Sequence, residues 1–185
     1  MALMPGAPRA ADFTDPLGML KDCHRRVERF LGAQMKVAAC DPGCPLDTLH
    51  ADGARQAAHY FQTNAPWHTS DEEDSLFPRL RASSHPRAAQ GAALANALEA
   101  DHVEMAPLHD VVDEAMEAWL SDGRLDADQH ARLNAVLAKM HTVYTSHIAR
   151  EDGELIPLAA EVLTPQDLVE MGREMRLRRG LSVAE

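Results

Sequence analysis

One string occurs twice in this chain, and it restricts the fold more than any other feature. "HTSDEEDSLFP" at 68–78 returns as "HIAREDGELIP" at 147–157. In both, a His is followed four residues later by a Glu and then by a second acid, and the string ends in Leu, an apolar residue and Pro. Each residue of an α-helix advances by about 100°, so positions i and i+4 lie about 40° apart and one turn along. His68 with Glu72, and His147 with Glu151, therefore present an imidazole and a carboxylate side by side, provided both segments are helical. Composition agrees with helices. Aromatics make up only 4% of the chain, β-branched residues are sparse, and Ala, Leu, Met, Glu and Arg are abundant.

The rest of the sequence supplies more helices. In "TDPLGMLKDCHRRVERFLGAQMKVA", Asp15 is a candidate N-cap and Pro16 suits the first helical position, with apolar residues at a 3.6-residue period. A second helical pattern runs from Asp47 to about Leu80, with a kink or break expected at Pro66, which lacks a backbone donor. The third covers about 90 to 120 and stops at "LSDG". A fourth covers Asp126 to about Asp152, where Gly153 and Pro157 weaken or end it. In both strings the Leu-apolar-Pro ending reads as the close of a helix. Beyond it, Thr164 and Pro165 open a final helix. Short turns force sequence neighbours to pack antiparallel. The expectation is an all-α, up-down-up-down antiparallel four-helix bundle with a short extra C-terminal helix. Residues 1–13 read as a flexible N-terminal arm, 14–160 as the bundle and 161–185 as the C-terminal helix and tail.

The repeat extends to the other two helices. His24 precedes His68, and His102 precedes His147, by nearly the same stretch. Leu20 and Leu98 sit four residues before these histidines, and Val27 and Met105 three after. His24 and His102 thus fall on inward-facing apolar stripes. Each half of the chain reads as a helix with one His, then a helix with HxxxE. A buried ionised carboxylate is costly without compensation, and a metal ion supplies it. Imidazole and carboxylate without thiolate suit iron, manganese or zinc. His24, His68, Glu72, His102, His147 and Glu151 are the candidate ligands. Four imidazoles, two bridging carboxylates and one shared oxo or hydroxo group would leave open positions on a pair of six-coordinate ions.

Other groups have weaker claims. Glu73 and Asp152 each follow a candidate ligand Glu and read as a second layer, as an alternative carboxylate for the site, or as exposed acids. Tyr144 lies one turn before His147, as a hydrogen-bond donor or a packing residue. His59 and His141 point away from the site. Cys23 adjoins His24 but points about 100° from it, so thiolate ligation is not expected. Cys40 and Cys44, in "CDPGC", are either two incidental loop thiols, a bridge or a soft metal site.

A net charge of −11 argues against a general grip on nucleic-acid phosphates. An odd number of cysteines, three, argues against a secreted disulfide framework. With no signal-like or membrane-spanning apolar run, a soluble, cytoplasmic protein is expected. Arg173, Arg176, Arg178 and Arg179 mark the C-terminal helix either as a docking patch for a protein partner or a second copy, or as the solvated face of a helix capping an acidic bundle.

The phrases "PWHTSDEEDSLFPRL" and "YTSHIAREDGELIPLA", helped by "LKDCHRRVERFL" and "LEADH", resemble the hemerythrin-like, HHE cation-binding family over about residues 14–160. The resemblance implies a non-heme diiron four-helix bundle in which the six candidates are iron ligands, with Glu72 and Glu151 bridging. It departs from the oxygen carriers at one place: those use HxxxH on the third helix, and this chain has Ala106 there. Glu151 also stands where they have Asp. His109, seven residues after His102, lies near the same face but about 10 Å further along.

Three functions fit. The first is a diiron protein binding or sensing dioxygen, nitric oxide or iron. The second is a diiron enzyme reducing peroxide or nitric oxide. The third is a regulatory module acting through its C-terminal helix. Ferritin-type chemistry, with E-x-x-H on two helices, fits poorly, because only Glu99 with His102 matches. Neither a Gly-rich phosphate loop nor G-x-S-x-G is present.

Overall fold

Residues 11–182 are described by a computed structural model. Helix α1 (Pro16–Ala38) starts as its sequence dictates: the Asp15 side chain accepts from Gly18 N–H, and Pro16 occupies the first turn. The second rod is composite, made of α2 (Thr48–His59), α3 (Ala65–Asp71) and α4 (Phe77–Ala82) joined through π-helical turns at Tyr60–Asn64 and Glu72–Leu76. Helix α5 (Ala88–Asp122) is long and unbroken, and Gly123, at φ 73°, ends it in the left-handed conformation. The fourth rod joins α6 (Ala127–Arg150) to α7 (Ile156–Val162) through a third π-turn, Glu151–Leu155. Helix α8 (Pro165–Arg178) follows, capped by Thr164 and Asp167.

Each rod packs against the next, and α6 packs back on α1, which closes the four into a bundle. No strand occurs among the described residues. No helix among them is long and apolar enough to cross a membrane.

The proline-containing stretches differ from the sequence reading, and one chemistry explains all of them. The Leu-apolar-Pro strings do not close their helices, because the rods run on through Pro78 and Pro157. All three π-turns end two residues before a proline, and the residue between closes the turn: Ala65 N–H reaches Tyr60 C=O, Phe77 reaches Glu72 and Ile156 reaches Glu151, each five residues back. A proline cannot donate to the carbonyl four residues behind it. The wider turn absorbs that misfit locally, so the helix axis continues without a break.

Only the end of the N-terminal arm expected over 1–13 is described. Residues 1–10 lie outside the described residues, but residues 11–13 are held down. Ala11 N–H donates to Asp22 at 2.8 Å, and Arg176 stacks over the Phe13 ring at 4.9 Å. A side chain on Gly172 would begin 2.0 Å from the Phe13 carbonyl oxygen, so α8 crosses this segment only because residue 172 is glycine.

The core is split in two along the bundle axis. One apolar cluster includes Leu20, Leu76, Phe77, Leu98, Leu155, Met171 and Met175, and the other Val27, Phe61, Met116, Trp119, Leu137 and Ile148. Every rod passes from one cluster to the other through a polar layer.

Candidate metal centre

That layer contains all six residues singled out by the repeat. His24 comes from α1, His68 from α3, His102 from α5 and His147 from α6, while Glu72 and Glu151 are the first residues of two π-turns. Glu72 and Glu151 are each 1% exposed.

Each carboxylate spans the two halves of the chain. Glu72 Oε1 lies 3.2 Å from His68 Nε2, and its Oε2 lies 3.4 Å from His102 Nε2. Glu151 Oε2 lies 2.8 Å from His24 Nε2 and 3.4 Å from His147 Nε2. His102 and His147 approach to 3.3 Å through their Nε2 atoms. The donor atoms form two groups able to hold a cation: His24, His68, Glu72 and Glu151, with atoms within 4.8 Å of one another, and Glu72, His102 and His147 within the same limit. Glu72 belongs to both.

Every oxygen of Glu72 and Glu151, and Nε2 of His24, lacks a hydrogen-bond partner. These atoms are near one another but misaligned for N–H···O bonds. Buried carboxylate oxygens are ordinarily satisfied, and leaving four of them orphaned would cost several kcal/mol. A cation among them removes that cost, so the residues fit a metal site.

The outer ring nitrogens explain how the imidazoles are aimed. His24 Nδ1 pairs with Asp152 at 2.8 Å, His102 Nδ1 with Glu73 at 2.7 Å and His147 Nδ1 with Asp101 at 3.1 Å. A carboxylate on Nδ1 fixes the tautomer and turns Nε2 inward, the usual arrangement behind a metal-binding His. Glu73 and Asp152 thus form a second layer behind the imidazoles, one of the readings their positions allowed. Sequence reasoning missed Asp101, which Arg150 also holds. The signal available was its place directly before His102.

Proton affinities follow from the crowding. Burial opposes charge on His24, but contact with Glu151 and Glu72 outweighs it and pushes the imidazole up to about 11. Burial likewise opposes His102, and Glu72 with Glu73 pushes it up to about 9. Burial would raise Glu72, yet the charge of His68 and contacts from His102 and His24 hold it well below the usual range. Without a cation, the centre stores protons where it would otherwise store metal.

A cavity of about 370 Å³ adjoins the layer on one side. His24, His68, His102 and His147 form its polar wall, Val27, Phe61, Met105 and Ile148 its apolar wall, and the exposed Ala106 and Pro66 lie at its edge. His109 does not reach the ligand cluster. Its Nε2 instead meets the Tyr144 hydroxyl at 2.8 Å within the cavity lining, and its Nδ1 is buried without a partner.

Cys40 and Cys44 are free, and the described residues show no soft metal cluster around them. Their loop is tied down by Trp119 Nε1, which donates to the Cys44 carbonyl at 3.0 Å. Arg178 and Arg179 are not solvated. Both reach Asp71, which is fully buried and directly precedes Glu72.

The comparisons with known proteins agree with this geometry. A protein of Haemophilus influenzae, described only as uncharacterized, is 29% identical over 177 residues, covering 91% of this chain and 92% of its own. The family model of the hemerythrin HHE cation-binding domain matches residues 15–159. A four-rod bundle with a buried His/Glu layer that fits a cation is thus the setting of that match, and the chain belongs to the hemerythrin HHE cation-binding domain family.

Proposed function

We propose that this protein holds two non-heme iron ions in the polar layer and binds or senses a small ligand there, such as dioxygen, nitric oxide or peroxide. His24 and His68 bind one ion, His102 and His147 the other, and Glu72 and Glu151 bridge them. The observation that carries this reading is the pair of buried carboxylates whose four oxygens have no hydrogen-bond partner and face four imidazoles. Iron so bound supplies open coordination positions and one-electron chemistry; zinc or manganese would fill the same donor set. The cavity supports an exogenous ligand, because it reaches all four imidazoles and Ala106 puts no fifth nitrogen donor at its edge.

The test is metal analysis with an optical spectrum of the oxidised protein. The expected result is about two iron ions per chain with the charge-transfer bands of an iron pair, and loss of metal in Glu72→Ala and Glu151→Ala. Protein that takes up no more than trace iron after reconstitution overturns the reading.

A second reading, turnover of peroxide or nitric oxide at the same centre, draws on the His109–Tyr144 pair. A phenol hydrogen-bonded to a buried imidazole can pass a proton into the cavity. Product formation over many cycles with hydrogen peroxide or nitric oxide separates it from simple binding. A cytoplasmic location belongs to the same proposal and is supported by three free thiols. So does docking of a partner or second copy on α8, which would rest on Val169, Glu170, Arg173 and Leu177, exposed residues of that helix.

A further inference from the structure

The two halves of the site match in chemical type at every position but one. Glu73 anchors His102, and its counterpart Asp152 anchors His24. Asp101, directly before His102, anchors His147. The counterpart of Asp101 is the residue directly before His24, and that residue is Cys23. Its thiol faces the ring of His68, the counterpart of His147, but His68 Nδ1 has no hydrogen-bond partner although it is buried. The sulfur is already engaged, accepting from Arg26 Nη2 at 3.3 Å. Three imidazoles are backed by a carboxylate, and the fourth has only a thiol beside it.

We propose that Cys23 is a positioning residue that makes the two cation subsites unequal: the subsite of His102 and His147 fills first, and that of His24 and His68 holds its cation more weakly. This rests on the two-cation reading above. A carboxylate on Nδ1 raises the basicity of an imidazole and locks its orientation, whereas a thiol is a poor acceptor that does neither well. Removing such a backing group typically lowers metal affinity by about 10–100-fold. His68 is built in that weakened state. Glu72 and Glu151 belong to both subsites in the two-cation reading, so the difference between the subsites lies in the imidazoles, and occupancy of the weak one can change while the strong one stays loaded.

Cys and Asp are of similar size, and Arg26 stands ready to compensate a carboxylate at position 23, so Cys23→Asp is a conservative repair. The probe is cobalt(II), added stepwise to metal-free protein and followed by its visible spectrum and by calorimetry. The wild type is expected to bind two ions in steps differing by about 10–100-fold. Cys23→Asp should narrow that gap by tightening the second step alone, and Asp101→Cys should narrow it by weakening the first. His68→Ala should abolish the weak step and leave the strong one. Two steps whose ratio Cys23→Asp leaves unchanged overturn the role of Cys23 while the two-cation reading stands. Uptake of a single ion, with no second step at any concentration, overturns that reading and the inference together. Thermal unfolding of each metal-free variant identifies any that misfold, and Cys23→Ser, which restores a small polar group without charge, should leave the gap as in the wild type.

Discussion

The two apolar clusters on either side of the polar layer are built differently. The end containing Phe77, Leu76, Leu80, Leu98 and Leu155 has all of these residues at 0% exposure, and α8 lies across it. The end containing Val27, Phe61 and Tyr144 borders the cavity. One end is packed shut against the His/Glu layer and the other leaves space beside it. Rigidity and access, which compete within a single packed core, are here assigned to opposite sides of one layer.

The contrast can be broken in order of expected effect. Phe77→Ala leaves a void in the closed end and should cost about 3–5 kcal/mol in urea unfolding of metal-free protein, whereas Phe61→Ala, beside space already present, should cost about 2 kcal/mol. Equal costs would erase the distinction. Next, Arg178→Ala with Arg179→Ala leaves the Asp71 carboxylate buried without its partners. A loss of about 3 kcal/mol is expected, recovered in part by adding Asp71→Asn. If the double variant unfolds like the wild type, α8 does not brace the closed end.

The third test titrates the layer itself. His24 and His102 have folded-state values raised to about 11 and about 9, above the ordinary 6.5. Their contribution to metal-free stability is therefore fully present below about pH 6.5 and is lost as pH rises through about 9 and then about 11. Glu72, held below its usual 4.5, contributes above that value and loses its contribution as pH falls through its depressed one. Thermal midpoints in chelator should thus fall on the alkaline side, while metal affinity rises there as protons leave the imidazoles. A metal-free midpoint that climbs from pH 7 to 10 would contradict this. Smallest is Ala106→Leu at the cavity edge, expected within about 0.5 kcal/mol of wild type. It should nevertheless slow azide binding to the loaded protein, as stopped-flow absorbance would record.

Much of this was legible because the relevant signals repeat. His24, His68, Glu72, His102, His147 and Glu151 stand in matching registers, and helical geometry alone brings each HxxxE pair onto one face. What escaped the sequence has physical reasons. The π-turns depend on how a missing donor at Pro66, Pro78 and Pro157 is accommodated, and a kink, a helix end and a widened turn satisfy the same string. Asp101 and Asp71 look like ordinary helix acids; only the packing of another helix shows that one anchors His147 and the other takes two arginines. The arginines of α8 were ambiguous for the same reason, since a solvated charge and a bolted one are spelled alike.

The anchoring of the imidazoles also bears on how the molecule is assembled. Asp152, from the second half of the chain, holds His24 of the first, and Glu73, from the first, holds His102 of the second. Neither helix pair contains a finished site. A nascent chain that has made only its first two rods therefore carries two histidines with nothing to fix one of them. Tight cation uptake should appear only with the last docking step of folding, so the metal serves as a clock for completion. An ancestral single pair, by the same logic, would have worked only as two copies side by side.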